Sequence, residues 1–129
     1  MFKIKHIDHV VLRVVDLQAG LDFYTNVLGC SLEKVQKEIG LYQLRAGSSL
    51  IDLIHVDSPT KEGKNLDHFC LRIEPFDEEE IRQHLKAKGI EMGSVEARYG
   101  AEGEGPSVYI TDPEGNVVEL KGSPWEKLL

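Results

Sequence analysis

The chain has 129 residues, with 15 Lys and Arg against 22 Asp and Glu, a net charge of −7 and five His. That is the length of one ordinary domain, able to build its core without a disulfide or a structural metal, so a bound metal would serve function rather than folding. The acidity speaks against nucleic-acid and anionic-membrane partners, no apolar run approaches the ~20 residues of a spanning helix, and the polar start at Met1 lacks a leader pattern, so the expected compartment is the cytoplasm, with Cys30 and Cys70 as free thiols.

The first predicted element is a strand over Ile7–Val15, apolar on alternate positions, with His9 and Arg13 on the other parity. Asp16 stands where a helix cap belongs, and Leu17, Leu21, Tyr24 and Leu28 follow at helical spacing until Gly29 stops them, which predicts one helix of about three turns. On this helix Phe23 and Tyr24 are expected to pack against the sheet. Strands are predicted over Ser31–Lys37, Leu41–Arg45 and Ser49–Val56, and the polar stretch Asp57–Asn65 reads as a linker.

After the linker the pattern restarts. Leu66-Asp67-His68-Phe69-Cys70-Leu71-Arg72-Ile73 matches Ile7-Asp8-His9-Val10-Val11-Leu12-Arg13-Val14 in residue type at every position, the mark of an internal repeat. Asp77 and Glu80 form a capping-box-like start to a second helix, carried by Ile81 and Leu85 and stopped by Gly89. Strands are predicted over Ile90–Arg98, Ser107–Thr111 and Asn116–Lys121, the last two joined by the turn Asp112-Pro113-Glu114-Gly115, and the Gly- and Glu-rich stretch Arg98–Pro106 reads as a mobile loop. Ile51-Asp52-Leu53 in the first half answers to Val118-Glu119-Leu120 in the second. The expected organisation is therefore a single domain over residues 1–129 of α+β class, made of two β-α-β-β-β modules at about 4–56 and 66–121.

The repeat places one imidazole and one carboxylate on strands of each module: His9 and Asp52, then His68 and Glu119. Neutral imidazole and carboxylate are the ligands that Zn, Ni, Co, Mn and non-haem Fe accept, and neither Cys is needed. Strand parity sets Val11 and Arg13 on the His9 face, Cys70 and Arg72 on the His68 face, and Val117 and Lys121 on the Glu119 face, so the pocket is expected to mix apolar walls with a few cations. His55 lies on the parity opposite to Asp52, His84 on the second helix and His6 before the first strand; these three are read as structural or surface residues.

At Ile7-Asp8-His9, Phe23-Tyr24-Thr25-Asn26-Val27-Leu28-Gly29, Leu66-Asp67-His68 and Asp112-Pro113-Glu114-Gly115-Asn116-Val117-Val118-Glu119-Leu120 the sequence resembles the vicinal oxygen chelate superfamily. That superfamily holds glyoxalase I, fosfomycin-resistance thiol transferases, extradiol dioxygenases, methylmalonyl-CoA epimerase and bleomycin-binding proteins. The resemblance spans Ile7 to Lys121. It implies modules that form open, incomplete barrels, the glyoxalase/bleomycin resistance/dioxygenase fold, and a homodimer that closes the sheet edges. It also implies one divalent metal per site, held by His9, Asp52, His68 and Glu119, where Asp52 is one methylene shorter than the family's usual Glu or Gln.

The implied activity is a glyoxalase-like lyase or isomerase on a small substrate with vicinal oxygens, passing through an enediolate-type intermediate. Glu119 and Asp52 are the implied catalytic carboxylates. Arg13 matches the arginine that holds a glutathione carboxylate in glyoxalase I, but Val56 stands where that family has Asn, so only half of the glutathione signature is present. Two other outcomes fit the fold: an extradiol-type dioxygenase or fosfomycin-type thiol transferase, and a metal-free protein that sequesters an antibiotic.

Overall fold

The computed structural model describes residue 1, residues 6–58, residue 66 and residues 68–124. Most of the linker, and the Asp67 of the second His motif, lie outside the described residues. Contacts divide the chain into two compact units, Met1–Gly63 and Lys64–Leu129.

In the first unit β1 (His9–Val14) leads into α1 (Leu17–Asp22), then into β2 (Ser31–Gln36), β3 (Leu41–Ala46) and β4 (Ser49–His55). In the second, β5 (His68–Arg72) leads into α2 (Glu78–Ala87), then β6 (Glu96–Gly100), β7 (Gly103–Thr111) and β8 (Val117–Lys121). Each unit carries one open four-stranded sheet, in the order β1-β4-β3-β2 and β5-β8-β7-β6. The first and last strands of each unit pair in parallel and the other neighbours are antiparallel, so both sheets are mixed and neither closes into a barrel.

The alternation read in the sequence becomes a dry face and a functional face. In the first unit Leu12 and Val14 of β1, Leu44 of β3, and Ile51 and Leu53 of β4 are buried, and Leu12 pairs across to Leu53. The second unit repeats this with Val108, Ile110, Val118 and Leu120, joined by Leu85 from α2. Each such side chain contributes about 1.5–3 kcal/mol on leaving water. Both helices start at the expected caps: Asp16 accepts from the Ala19 amide and Asp77 from the Glu80 amide, each at 3.0 Å.

Three expectations are corrected. The first helix is not a uniform three-turn α-helix, because α1 ends at Asp22 and residues Phe23–Val27 continue as a π-turn, with the Leu28 amide bonded to the Phe23 carbonyl. Widening the turn directs both consecutive aromatics inward: Phe23 and Tyr24 are buried and meet edge to face at 5.0 Å. Next, regular pairing in Ile90–Arg98 begins only at Glu96, and the Gly93 amide bonded to the Tyr109 carbonyl stands ahead of it. Finally, Arg98–Pro106 is no mobile loop. It is the tip of the β6–β7 hairpin, paired through Arg98–Gly105, Tyr99–Glu104 and Gly100–Gly103.

Candidate metal and substrate site

Parallel pairing sets the first half-site. The register places Val11 beside Asp52 and His9 beside Leu50, so His9, Val11 and Arg13 share the functional face with Asp52. Antiparallel pairing adds Gln43, directly opposite Asp52 on β3. His9 is turned by its sequence neighbour, with Nδ1 and an Asp8 carboxylate oxygen 2.8 Å apart. That hydrogen bond is the main reason the imidazole is held above its ordinary 6.5; hydration loss opposes the shift and the Asp52 charge adds to it. With Nδ1 donating to Asp8, Nε2 presents its lone pair, the arrangement that outer carboxylates impose on metal-binding His.

Asp52 is 2% exposed. One of its oxygens accepts from Gln43 Nε2 at 3.3 Å, and Gln43 in turn accepts from Gln36 Nε2 at 3.0 Å. The other oxygen, Oδ1, is buried and has no hydrogen-bond partner among the described residues. An ionised carboxylate oxygen left this way costs several kcal/mol unless a cation meets it. Arg13 is exposed on the same face.

The second half-site repeats the logic with other neighbours. Cys70 pairs with Glu119 on β8 and Tyr109 pairs with Glu119 from β7, which puts His68, Cys70, Tyr109 and Glu119 on one face. His68 Nε2 lies 3.2 Å from Glu119 Oε1, and Glu119 is 6% exposed. Two donors each about 2.1 Å from one divalent ion lie roughly 3.0 Å apart at an octahedral angle and about 3.4 Å apart at a tetrahedral one, so the 3.2 Å spacing suits two ligands of one ion. The Cys70 thiol donates to Glu119, and burial first and that carboxylate second push it up to about 11, so it is no thiolate at neutral pH. The Tyr109 ring meets the edge of His68 at 5.4 Å and is covered by the Arg98 guanidinium at 4.3 Å, while Arg98 also donates to Ser107. The tight turn is locked by the buried Asp112, whose Oδ1 accepts from the Glu114 and Asn116 amides at 2.9 and 2.7 Å.

A cleft of about 300 Å³ opens onto this face, walled by His68, Arg72, Tyr99, Glu119 and Lys121. A larger one of about 430 Å³ runs along residues 89–93 and 109–112, but its carboxylates are only Glu91 and Asp112, and Asp112 is committed to its turn. Within either unit no group of three or more His, Cys, Asp or Glu among the described residues is gathered to hold a metal. Each unit brings together its own pair: His9 with Asp52 on one face, and His68 against Glu119. The residues that sequence reading passed over are Gln36, Gln43, Tyr109 and Arg98. Strand parity would have flagged Gln43 and Tyr109 once the register was known.

The glyoxalase/bleomycin resistance protein/dioxygenase superfamily model matches residues 6–120, the span that carries both half-sites. The chain belongs to this superfamily. Among its relatives, the glyoxalase domain-containing protein RDO1 of Mycosarcoma maydis is 31% identical over 91% of this chain and 68% of its own length. The mitochondrial methylmalonyl-CoA epimerase of Mus musculus is 26% identical over 94% of this chain and 75% of its own. Among solved structures, the virulence protein STM3117 of Salmonella typhimurium superposes with a TM-score of 0.77 at 26% identity, covering 95% of this chain and 99% of that one. Members of the superfamily are often metal-dependent enzymes acting on small molecules. No helix among the described residues is long and apolar enough to cross a membrane.

Proposed function

We propose that the protein is a glyoxalase-like, divalent-metal-dependent lyase or isomerase that moves a proton between adjacent carbons of a small substrate bearing vicinal oxygens. The observation that carries this reading is the buried Oδ1 of Asp52, unpartnered among the described residues, on the same face as an imidazole whose Nε2 is presented by Asp8. The His68–Glu119 pair repeats that combination of ligand types at 3.2 Å. The residues fit a metal such as Ni, Co, Zn, Mn or Fe, with His9, Asp52, His68 and Glu119 as its ligands. When bound, that ion supplies Lewis acidity to the two substrate oxygens.

Glu119 is the proton carrier. Its low exposure keeps bulk water from competing for the proton, and Cys70 and His68 fix its orientation. Asp52 is the second carboxylate, steadied by Gln43 so that one oxygen stays available. Arg13 is the candidate partner for a negatively charged part of the substrate. The kinship with an epimerase is in keeping with proton transfer at carbon, and the missing Asn at Val56 speaks against glutathione as the carrier.

The ligand set takes two residues from each module, drawn from one chain or from paired subunits. Open sheet edges at β1 and β5 support a homodimer. The test starts with metal content of the purified protein by mass spectrometry, then turnover of methylglyoxal–thiol adducts with the metal found. Glu119→Gln is expected to keep most of the metal and lower kcat by about 10²–10⁴. Full turnover by that variant would remove Glu119 from the chemistry. Mixing inactive His9→Ala with inactive His68→Ala restores activity only if sites form between subunits.

A further inference from the structure

Lys121 ends β8 two residues beyond Glu119, on the same face, and is 5% exposed while lining the 300 Å³ cleft. Its stem is buried while its ammonium opens to the cleft, where an anion can meet it. Yet no carboxylate among the described residues pairs with Lys121: Glu119 is taken by His68 at 3.2 Å, and Glu102 by Arg72 at 2.8 Å. The lysine stem runs where two residues have no side chain. A Cβ at Gly100 would lie 2.9 Å from its Cε, and one at Gly105 would lie 3.1 Å from its Nζ and 2.8 Å from the Ser123 carbonyl. The hairpin thus leaves a channel that delivers a positive charge without a carboxylate partner among the described residues to the cleft beside Glu119.

We infer that Lys121 is a binding residue for an anionic oxygen group, a carboxylate or a phosphoryl group, on the small molecule that enters the cleft of the second module. The cleft has room for a molecule of a few heavy atoms whose charged end sits on Lys121 and whose other end reaches His68 and Glu119. This deepens the proposed function by naming the charge of its substrate, but Lys121 binds its anion with or without the metal.

The experiment titrates malonate and, separately, inorganic phosphate into the full chain by calorimetry, both metal-loaded and chelator-treated. The variants are Lys121→Met and, as a control on an exposed lysine, Lys88→Met. At least one probe is expected to bind wild type and Lys88→Met alike and to bind Lys121→Met at least tenfold more weakly, in both metal states. The probe that binds identifies which oxyanion the site prefers. Because the ammonium has no partner to lose among the described residues, Lys121→Met is expected to melt at or above the wild-type temperature. A marked fall in that temperature would mean a structural ion pair and would overturn the inference. So would failure of both probes to bind, or binding that needs the metal and ignores Lys121→Met. A chain that takes up no metal yet binds the anion through Lys121 would refute the proposed enzyme and leave this site standing.

Discussion

Cys70 shows how lost hydration and a neighbouring charge together set the chemistry of a side chain. Its thiol is raised from 9.0 to about 11, chiefly by burial and then by the Glu119 charge, with Lys121 opposing. A raised value means the folded chain holds that proton more tightly than the unfolded one. The resulting stability is present in full below 9.0 and is lost as pH rises through about 11. In chelator-treated Cys30→Ala protein, the rate of alkylation by iodoacetamide should therefore keep climbing to a midpoint near 11. A midpoint at 9 or below would show that the sulfur is neither shielded from water nor beside the Glu119 charge. Asp52 makes the complementary case: Asp52→Asn removes the charge but keeps the shape, and should stabilise the metal-free fold while weakening metal uptake, measured by melting and by metal content.

At the scale of elements, the turn before β8 does most to place Glu119. Asp112 satisfies two backbone amides and the Asn116 side chain, so Asp112→Ala strands donors next to the strand that carries the site. A loss of about 2 kcal/mol by denaturant unfolding is expected, with a fall in metal affinity. A melt unchanged from wild type would mean the turn holds without it. The Asp112-Pro113-Glu114-Gly115 turn was legible in the sequence, as were the caps at Asp16 and Asp77 and the face shared by His9 and Asp52, because local chemistry and a period of two dictate them. The π-turn at Phe23–Val27 was not, since it answers to the packing of two aromatics and leaves the helical spacing nearly intact. Nor was the hairpin at Gly100–Gly103, whose glycines imitate a loose loop until the opposite strand supplies partners. Lys121 was visible on the Glu119 face, but the room for its stem depends on glycines sixteen and twenty-one residues upstream.

For the whole molecule, the net charge of −7 includes Asp52 and Glu119, which a divalent ion would offset. Such an ion binds the folded chain alone, so added metal should raise the melting temperature with concentration, by the equivalent of about 2.7 kcal/mol at a hundredfold excess over Kd. His9→Ala and His68→Ala should each flatten that response; a variant with the full wild-type rise would strike its residue from the ligand set. The parallel pairing of β1 with β4 and of β5 with β8 also has a kinetic meaning. Within each unit the three later strands are joined by short connections, whereas the His-bearing strand must wait for its partner from the far end of the unit. Closing that long loop costs the most chain entropy, so each half-site should be assembled last during folding. Pulse-labelled hydrogen exchange would then find the amides of β3 and β7 protected before those of β1 and β5.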